Sequence, residues 1–113
     1  MEDHLRAAGF IGVERVDGVI FARSDAALPE FTATPTDAGW QLAQCWPLRA
    51  TPAQIAEWNA RHPGVPMDIW QGETRITQPA TPETLAAWGD LTRAMVAQCV
   101  AWRRASRQRD EGM

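Results

Sequence analysis

Between Thr51 and Thr77 the chain carries start and stop signals dense enough to specify two elements and the link between them. Thr51-Pro52-Ala53-Gln54 is a helix start. It has a hydroxyl N-cap, proline at the first helical position and a glutamine three residues after the cap. Ile55 and Trp58 fall three apart and so share a helix face. Pro63 and Gly64 stop the helix just after Arg61 and His62, whose side chains suit its carbonyl end. Met67 to Ile76 then reads as two short strands around Gln71-Gly72, so a short helix feeds a hairpin.

A two-residue loop at Gln71-Gly72 predicts its own register. Trp70 stands opposite Glu73, Ile69 opposite Thr74, Asp68 opposite Arg75 and Met67 opposite Ile76. Alternation sends Met67, Ile69, Thr74 and Ile76 to the buried side and Asp68, Trp70, Glu73 and Arg75 to the other. An Asp68–Arg75 cross-strand pair at a surface is worth only tenths of a kcal/mol. A tryptophan among three charges has two readings. Either a loop or the Arg75 guanidinium covers its ring, or the ring is an exposed recognition anchor. Trp70, Asp68, Glu73 and Arg75 are therefore the candidate protein-binding residues.

The segments before this stretch follow similar local rules. Residues 2–8 suit a short helix with acids in its first turn and Gly9 as its stop, pinned by Leu5, Ala8 and Phe10. Glu2, Asp3 and His4 resemble metal ligands only superficially, because a metal site needs a further cluster; a solvated helix start explains them. Asp17-Gly18 divides Ile11–Ser24 into a hairpin with Val16 opposite Val19, Arg15 opposite Ile20, Glu14 opposite Phe21 and Val13 opposite Ala22. One face collects Ile11, Val13, Ile20 and Ala22 with Arg15; the other holds Val16, Val19 and Phe21 with Glu14 and Arg23. Neither is cleanly polar, so either could meet the core. Phe31–Thr34 is a short strand candidate ended by Pro35 to Gly39. Trp40–Trp46 reads as a central strand, with Trp40, Leu42 and Trp46 on one side, Gln44 interrupting them, and Gln41, Ala43 and Cys45 on the other.

Thr81-Pro82-Glu83 repeats the threonine–proline helix start. From there to about Arg104, residues Leu85, Trp88, Leu91, Met95, Val96, Cys99 and Trp102 form one stripe, with Asp90, Arg93 and Arg104 outside it. The Met, Cys and Trp side chains on this stripe are read as core packing, not as a cofactor slot. Residues 1–105 make one domain and 106–113 a flexible basic tail.

Composition then excludes several function classes. Every basic residue is arginine, which removes a lysine Schiff base and a P-loop lysine together. No dinucleotide fingerprint or phosphate-cradling glycine cluster occurs, so no cofactor is expected. Net charge is −3, with seven arginines against twelve acids in residues 1–102, which speaks against nucleic acid as a partner. The only serines are Ser24 and Ser106 and the only histidines His4 and His62, so no nucleophile, base and orienting group come together. No apolar run approaches membrane-spanning length and no signal-peptide pattern opens the chain. Cys45 and Cys99 are accordingly read as reduced, buried thiols of a cytoplasmic protein without a membrane partner.

The elements add up to helix, three strands, helix, two strands, helix. That order is an α+β two-layer domain with an antiparallel sheet of about five strands. Glu57-Trp58-Asn59-Ala60-Arg61, leading into Asp68-Ile69-Trp70-Gln71-Gly72-Glu73-Thr74 and finished by the Thr81-Pro82-Glu83 helix, resembles the YbjN-like proteins. These share the fold of type III secretion chaperones. This chain departs from them in its very short first helix and a hairpin turn poor in acids. The resemblance implies a homodimer and a binding role, not a catalytic one. The expected function is a non-enzymatic, chaperone-like interaction module that takes a protein partner or self-associates. The alternative is a small-molecule-binding protein or enzyme, with a pocket between helices and sheet lined by Trp46, Trp88 and Met95.

Overall fold

The computed structural model describes the backbone of residues 1–111. Its elements are α1 (Glu2–Ala7), β1 (Ile11–Val16), β2 (Val19–Arg23), β3 (Phe31–Thr36), β4 (Gly39–Trp46), α2 (Pro52–Arg61), β5 (Met67–Trp70), β6 (Glu73–Pro79) and α3 (Pro82–Glu111). The strands form one antiparallel sheet in the order β1-β2-β3-β4-β6-β5, with β4 central as its pattern requires. The architecture is the expected α+β, with six strands where about five were expected. Four strands, not three, precede α2, and the Phe31–Thr34 candidate is one of them, continuing through Pro35 to Thr36. Pro35 is tolerated because it pairs with Trp40 on one side, while the β2 ladder covers only Phe31 to Ala33 on the other.

Both short hairpins turn where their sequences say. Asp17 and Gly18, and likewise Gln71 and Gly72, all have positive φ, the backbone of a two-residue type I′ loop. The β5–β6 register agrees pair for pair with expectation. The β1–β2 register agrees from Val16 to Glu14 and then slips: Ile11 pairs with Arg23, so Gly12 and Val13 together span the position opposite Ala22. Gly12, at φ 63°, supplies the left-handed backbone of this bulge. The extra residue turns Ile11 onto the face of Arg23, away from the core. Ile20 and Ala22 are buried and Val13 packs against them, which resolves the open choice of face.

The three helices cover one face of the sheet. α1 contributes Leu5, and Phe10 follows it into the core, whereas Ala8 is exposed and pins nothing. Phe10 meets Phe31 edge-on at 5.0 Å between ring centres, and Phe31 meets Trp88 at 5.6 Å. These contacts tie α1, β3 and α3 into one cluster. Along α3 the buried residues are Leu85, Trp88, Thr92, Met95, Cys99 and Trp102, alternating three and four apart. This stripe is narrower than the sequence suggests. Leu91 and Val96 sit at its margins, and Thr92 takes a central place with its hydroxyl donating to the Gly89 carbonyl at 3.0 Å. The helix also continues to Glu111, through most of the segment expected to be a tail from Ser106. Arginine, alanine and glutamine favour helix there and no glycine or proline intervenes before Gly112. Gly112 and Met113, the end of that expected tail, lie outside the described residues.

Met95→Ala should cost about 2–5 kcal/mol, as deletion at a fully packed site does. Leu91→Ala should cost clearly less, and urea unfolding of the two variants measures the difference. Equal losses would mean that the narrow stripe is not what holds α3 to the sheet.

Candidate functional site

The β5–β6 hairpin is held from beneath by α2 and the loop before it. Thr51 accepts from the Gln54 amide and Gln54 reaches back to Thr51, so both halves of the capping box are made. Trp58, buried on the core side of α2, donates its indole N–H to the Val65 carbonyl at 2.9 Å. His62 stacks on the same ring at 4.0 Å, and Arg61 pairs with Glu57 at 2.9 Å. On the other side of the hairpin, Thr74 is wholly buried. Its hydroxyl donates to the Leu48 carbonyl at 2.8 Å and accepts from the Ala50 amide at 2.9 Å. The hairpin therefore cannot rotate without breaking buried hydrogen bonds.

This anchoring turns Asp68, Trp70, Glu73 and Arg75 together onto the uncovered side of the sheet. Arg75 grips Asp68 with two parallel bonds, Nε to Oδ1 at 2.9 Å and Nη2 to Oδ2 at 2.6 Å. That pairing holds the arginine still more firmly protonated. The guanidinium carbon stands 5.3 Å from the centre of the Trp70 ring, so a cation covers part of the indole. Trp70 nevertheless keeps 45% of its surface exposed, so the arginine covers the ring only in part. Beside these residues a shallow depression of about 390 Å³ runs over Thr32, Thr34, Gln41, Ala43, Cys45 and Thr77, with Trp70 and Arg75 at one end.

Cys45 is half-buried on this open face, where the expectation had it buried like Cys99; both are free thiols. Burial first, and then the Glu73 charge, push the Cys45 thiol up, with Arg75 opposing them. Burial pushes Cys99 up to about 11. Neither is poised as a nucleophile, which requires a depressed value.

Both edges of the sheet are occupied by side chains. At β5, Asn59 of α2 acts as a surrogate strand: its Oδ1 accepts from the Met67 amide at 2.8 Å and its Nδ2 donates to the Met67 carbonyl at 3.5 Å. At β1, Arg6 of α1 reaches the Val13 carbonyl at 3.4 Å, Arg15 pairs with Glu2, and the bulge bends the strand. The Arg15 hydrogen bond holds the Glu2 carboxyl below its usual range. Such devices block strand addition.

The alternative pocket is not where the sequence put it. Trp46, Trp88 and Met95 are packed core, and the indole N–H groups of both tryptophans lack a hydrogen-bond partner among the described residues. A wider hollow of about 770 Å³ does lie between helices and sheet, at the opposite end. His4, Ala8, Trp40, Pro82 and Leu85 are among its walls. Arg15 lies 5.6 Å from the Trp40 ring centre beside it. Among the described residues no group of three or more His, Cys, Asp or Glu is placed to hold a metal ion, and no helix is long and apolar enough to cross a membrane.

Two measurements follow. The chain has no lysine or tyrosine, so Cys45 and Cys99 are the side chains that titrate between about pH 8.5 and 12. A thiol raised in the folded state stabilises it fully below the unfolded value near 9; that stability is lost as pH rises through about 11. Urea midpoints should therefore fall across this range, and Cys99→Ala should flatten the slope. Asn59→Ala should cost about 1 kcal/mol and speed hydrogen exchange at the Met67 amide. Unchanged exchange there would mean that Asn59 does not guard the edge.

No protein-family model, curated protein or solved structure matches this chain.

Proposed function

We propose that this chain is a non-enzymatic, cytoplasmic protein-interaction module that binds a polypeptide on the open face of its sheet, with Trp70 as the anchor. The observation that carries this reading is a large aromatic side chain, 45% exposed, beside a sheet face on which none of the three helices packs. Leaving an indole half in water forgoes part of the roughly 1.5–3 kcal/mol that burying a large apolar side chain supplies. The guarded edges support a face-docking mode over strand addition, and the raised thiols and the stacked His62 support a role without covalent chemistry. Kinship with the YbjN-like proteins, and with it a chaperone-like role, is part of the proposal. It draws on the α2, hairpin and α3 half of the chain, since the four strands before α2 depart from the order that suggested it. A second reading, a small-molecule binder, is favoured by the apolar hollow beside Trp40.

Trp70→Ala separates these readings. In cross-linking within the source cell followed by mass spectrometry, the variant should lose the protein recovered by the parent chain. Its unfolding free energy, from urea titration, should fall by no more than about 1 kcal/mol, the scale of an exposed cation–π contact. Unchanged recovery would overturn the role of Trp70 as anchor.

A further inference from the structure

We propose that the hollow between the start of α2 and the later turns of α3 is a binding site for a phosphate group, free or carried as a monoester. It shares no wall residue with the depression on the open face, so it stands or falls apart from the reading of that face. Its starting point is the arginine-rich end of the chain, which neither functional reading uses.

Because α3 continues to Glu111, the residues after Trp102 hold helical positions. Arg103 and Ser106 fall three apart and share one side of the helix. Across from them stand Arg49, in the loop after β4, and Thr51 and Gln54 of the α2 capping box. With Trp102, these residues wall a hollow of about 180 Å³. Sites that enclose drug-sized ligands measure roughly 300–1,000 Å³, so this one suits a group of a few heavy atoms.

The walls are rich in donors. Within the capping box, Gln54 Oε1 accepts from the Thr51 amide at 2.8 Å and Thr51 Oγ1 accepts from the Gln54 amide at 3.2 Å. These bonds engage the oxygen of each side chain and leave the Thr51 hydroxyl proton and the Gln54 amide protons to donate. Arg49 and Arg103 carry donors only, and among the described residues neither is paired with a carboxylate and no acid lines the hollow. Trp102 adds an independent pointer. It is only 9% exposed, and among the described residues Trp58 alone donates its indole N–H to a protein group. The Trp102 N–H is thus without a partner, yet it is not sealed in like those of Trp46 and Trp88, and the hollow is the surface its ring lines. Two arginine forks and several neutral donors around one small hollow exceed what a planar carboxylate accepts. They match a tetrahedral anion with oxygens facing several directions, and arginine's planar fork meets two of those oxygens at once.

Titration of the isotope-labelled full chain with inorganic phosphate, followed by NMR at neutral pH and constant ionic strength, tests the site. The Trp102 indole signal, assigned with Trp102→Phe, should shift and saturate with a Kd near or below about 1 mM. If Trp102→Phe does not fold, the Gln54 side-chain amide gives the same reading. Acetate should bind at least about tenfold more weakly, having fewer oxygens to offer. Arg49→Gln and Arg103→Gln should each weaken phosphate binding about tenfold or more, with urea midpoints unchanged because both side chains are exposed. Arg104→Gln, equally exposed but outside the hollow, should weaken it less than about twofold. The amide of N-acetyl-O-phosphoserine distinguishes the sources: tighter binding than inorganic phosphate assigns the site to a monoester, equal or weaker binding to free phosphate. No saturable shift with either compound, an equal response to acetate, or phosphate binding indifferent to both Arg49→Gln and Arg103→Gln would overturn the proposal. So would an Arg104→Gln loss as large as theirs, which would mean a diffuse basic surface and no site.

Discussion

One long helix has to cover a sheet of six strands, and most of the structure answers to that requirement. A stripe of residues three and four apart can touch the sheet only along a narrow line, so the side chains on that line must be large. Trp88 and Trp102 of α3 and Trp46 of β4 supply the reach, and Phe31 and Phe10 carry the contact outward to α1. Where the helix comes close, Thr92 fits, with its hydroxyl satisfied by its own helix. The cover is one-sided. Among the described residues nothing packs on the other face, and its residues stay half-buried at most.

The same economy governs the hairpin at the far edge. α2 is only ten residues long, yet it holds β5 and β6 through Trp58 and Asn59 on one side, while Thr74 secures the loop from β4 on the other. Because these bonds are buried or partly buried, they are worth more than the ion pairs at the surface. Their effect is to hold Trp70, Asp68 and Arg75 at a constant angle to the sheet. The positions of these side chains are thus fixed by the fold itself. Asn59 has a second consequence. By taking both main-chain groups of Met67 it closes the β5 edge to strand addition there.

Much of the candidate site was legible beforehand because it depends on alternation beside a tight turn. Gln71-Gly72 sets the register, and Asp68, Trp70, Glu73 and Arg75 then share a side whatever the rest of the chain does. The capping box at Thr51 and the turn at Asp17-Gly18 are local in the same sense. Where the reading failed, the missing information was not local. Ile11 left the core face because Gly12 forms a bulge against Ala22, and the strand begun at Phe31 ran past Pro35 because β4 pairs with it as far as Thr36. Thr92 took the centre of the stripe and Leu91 its margin, a choice set by which side of α3 the sheet meets. Trp46, Trp88 and Met95 proved to be packing, and the apolar hollow formed beside Trp40, where segments distant in sequence converge.

The amino-acid sequence by itself determined the turns, the helix starts, the pairing within each short hairpin and the company Trp70 keeps. It also determined the absence of lysine chemistry. Only the tertiary structure decided which face of the first hairpin is buried, that Asn59 closes an edge and that Cys45 lies half-open beside Arg75. It alone decided that, among the described residues, no helix covers Trp70. Turn and alternation rules act over a few residues through steric and hydrogen-bonding constraints. What lies above a sheet face depends on where segments tens of residues away come to rest, and that is settled only by the packing of the whole chain.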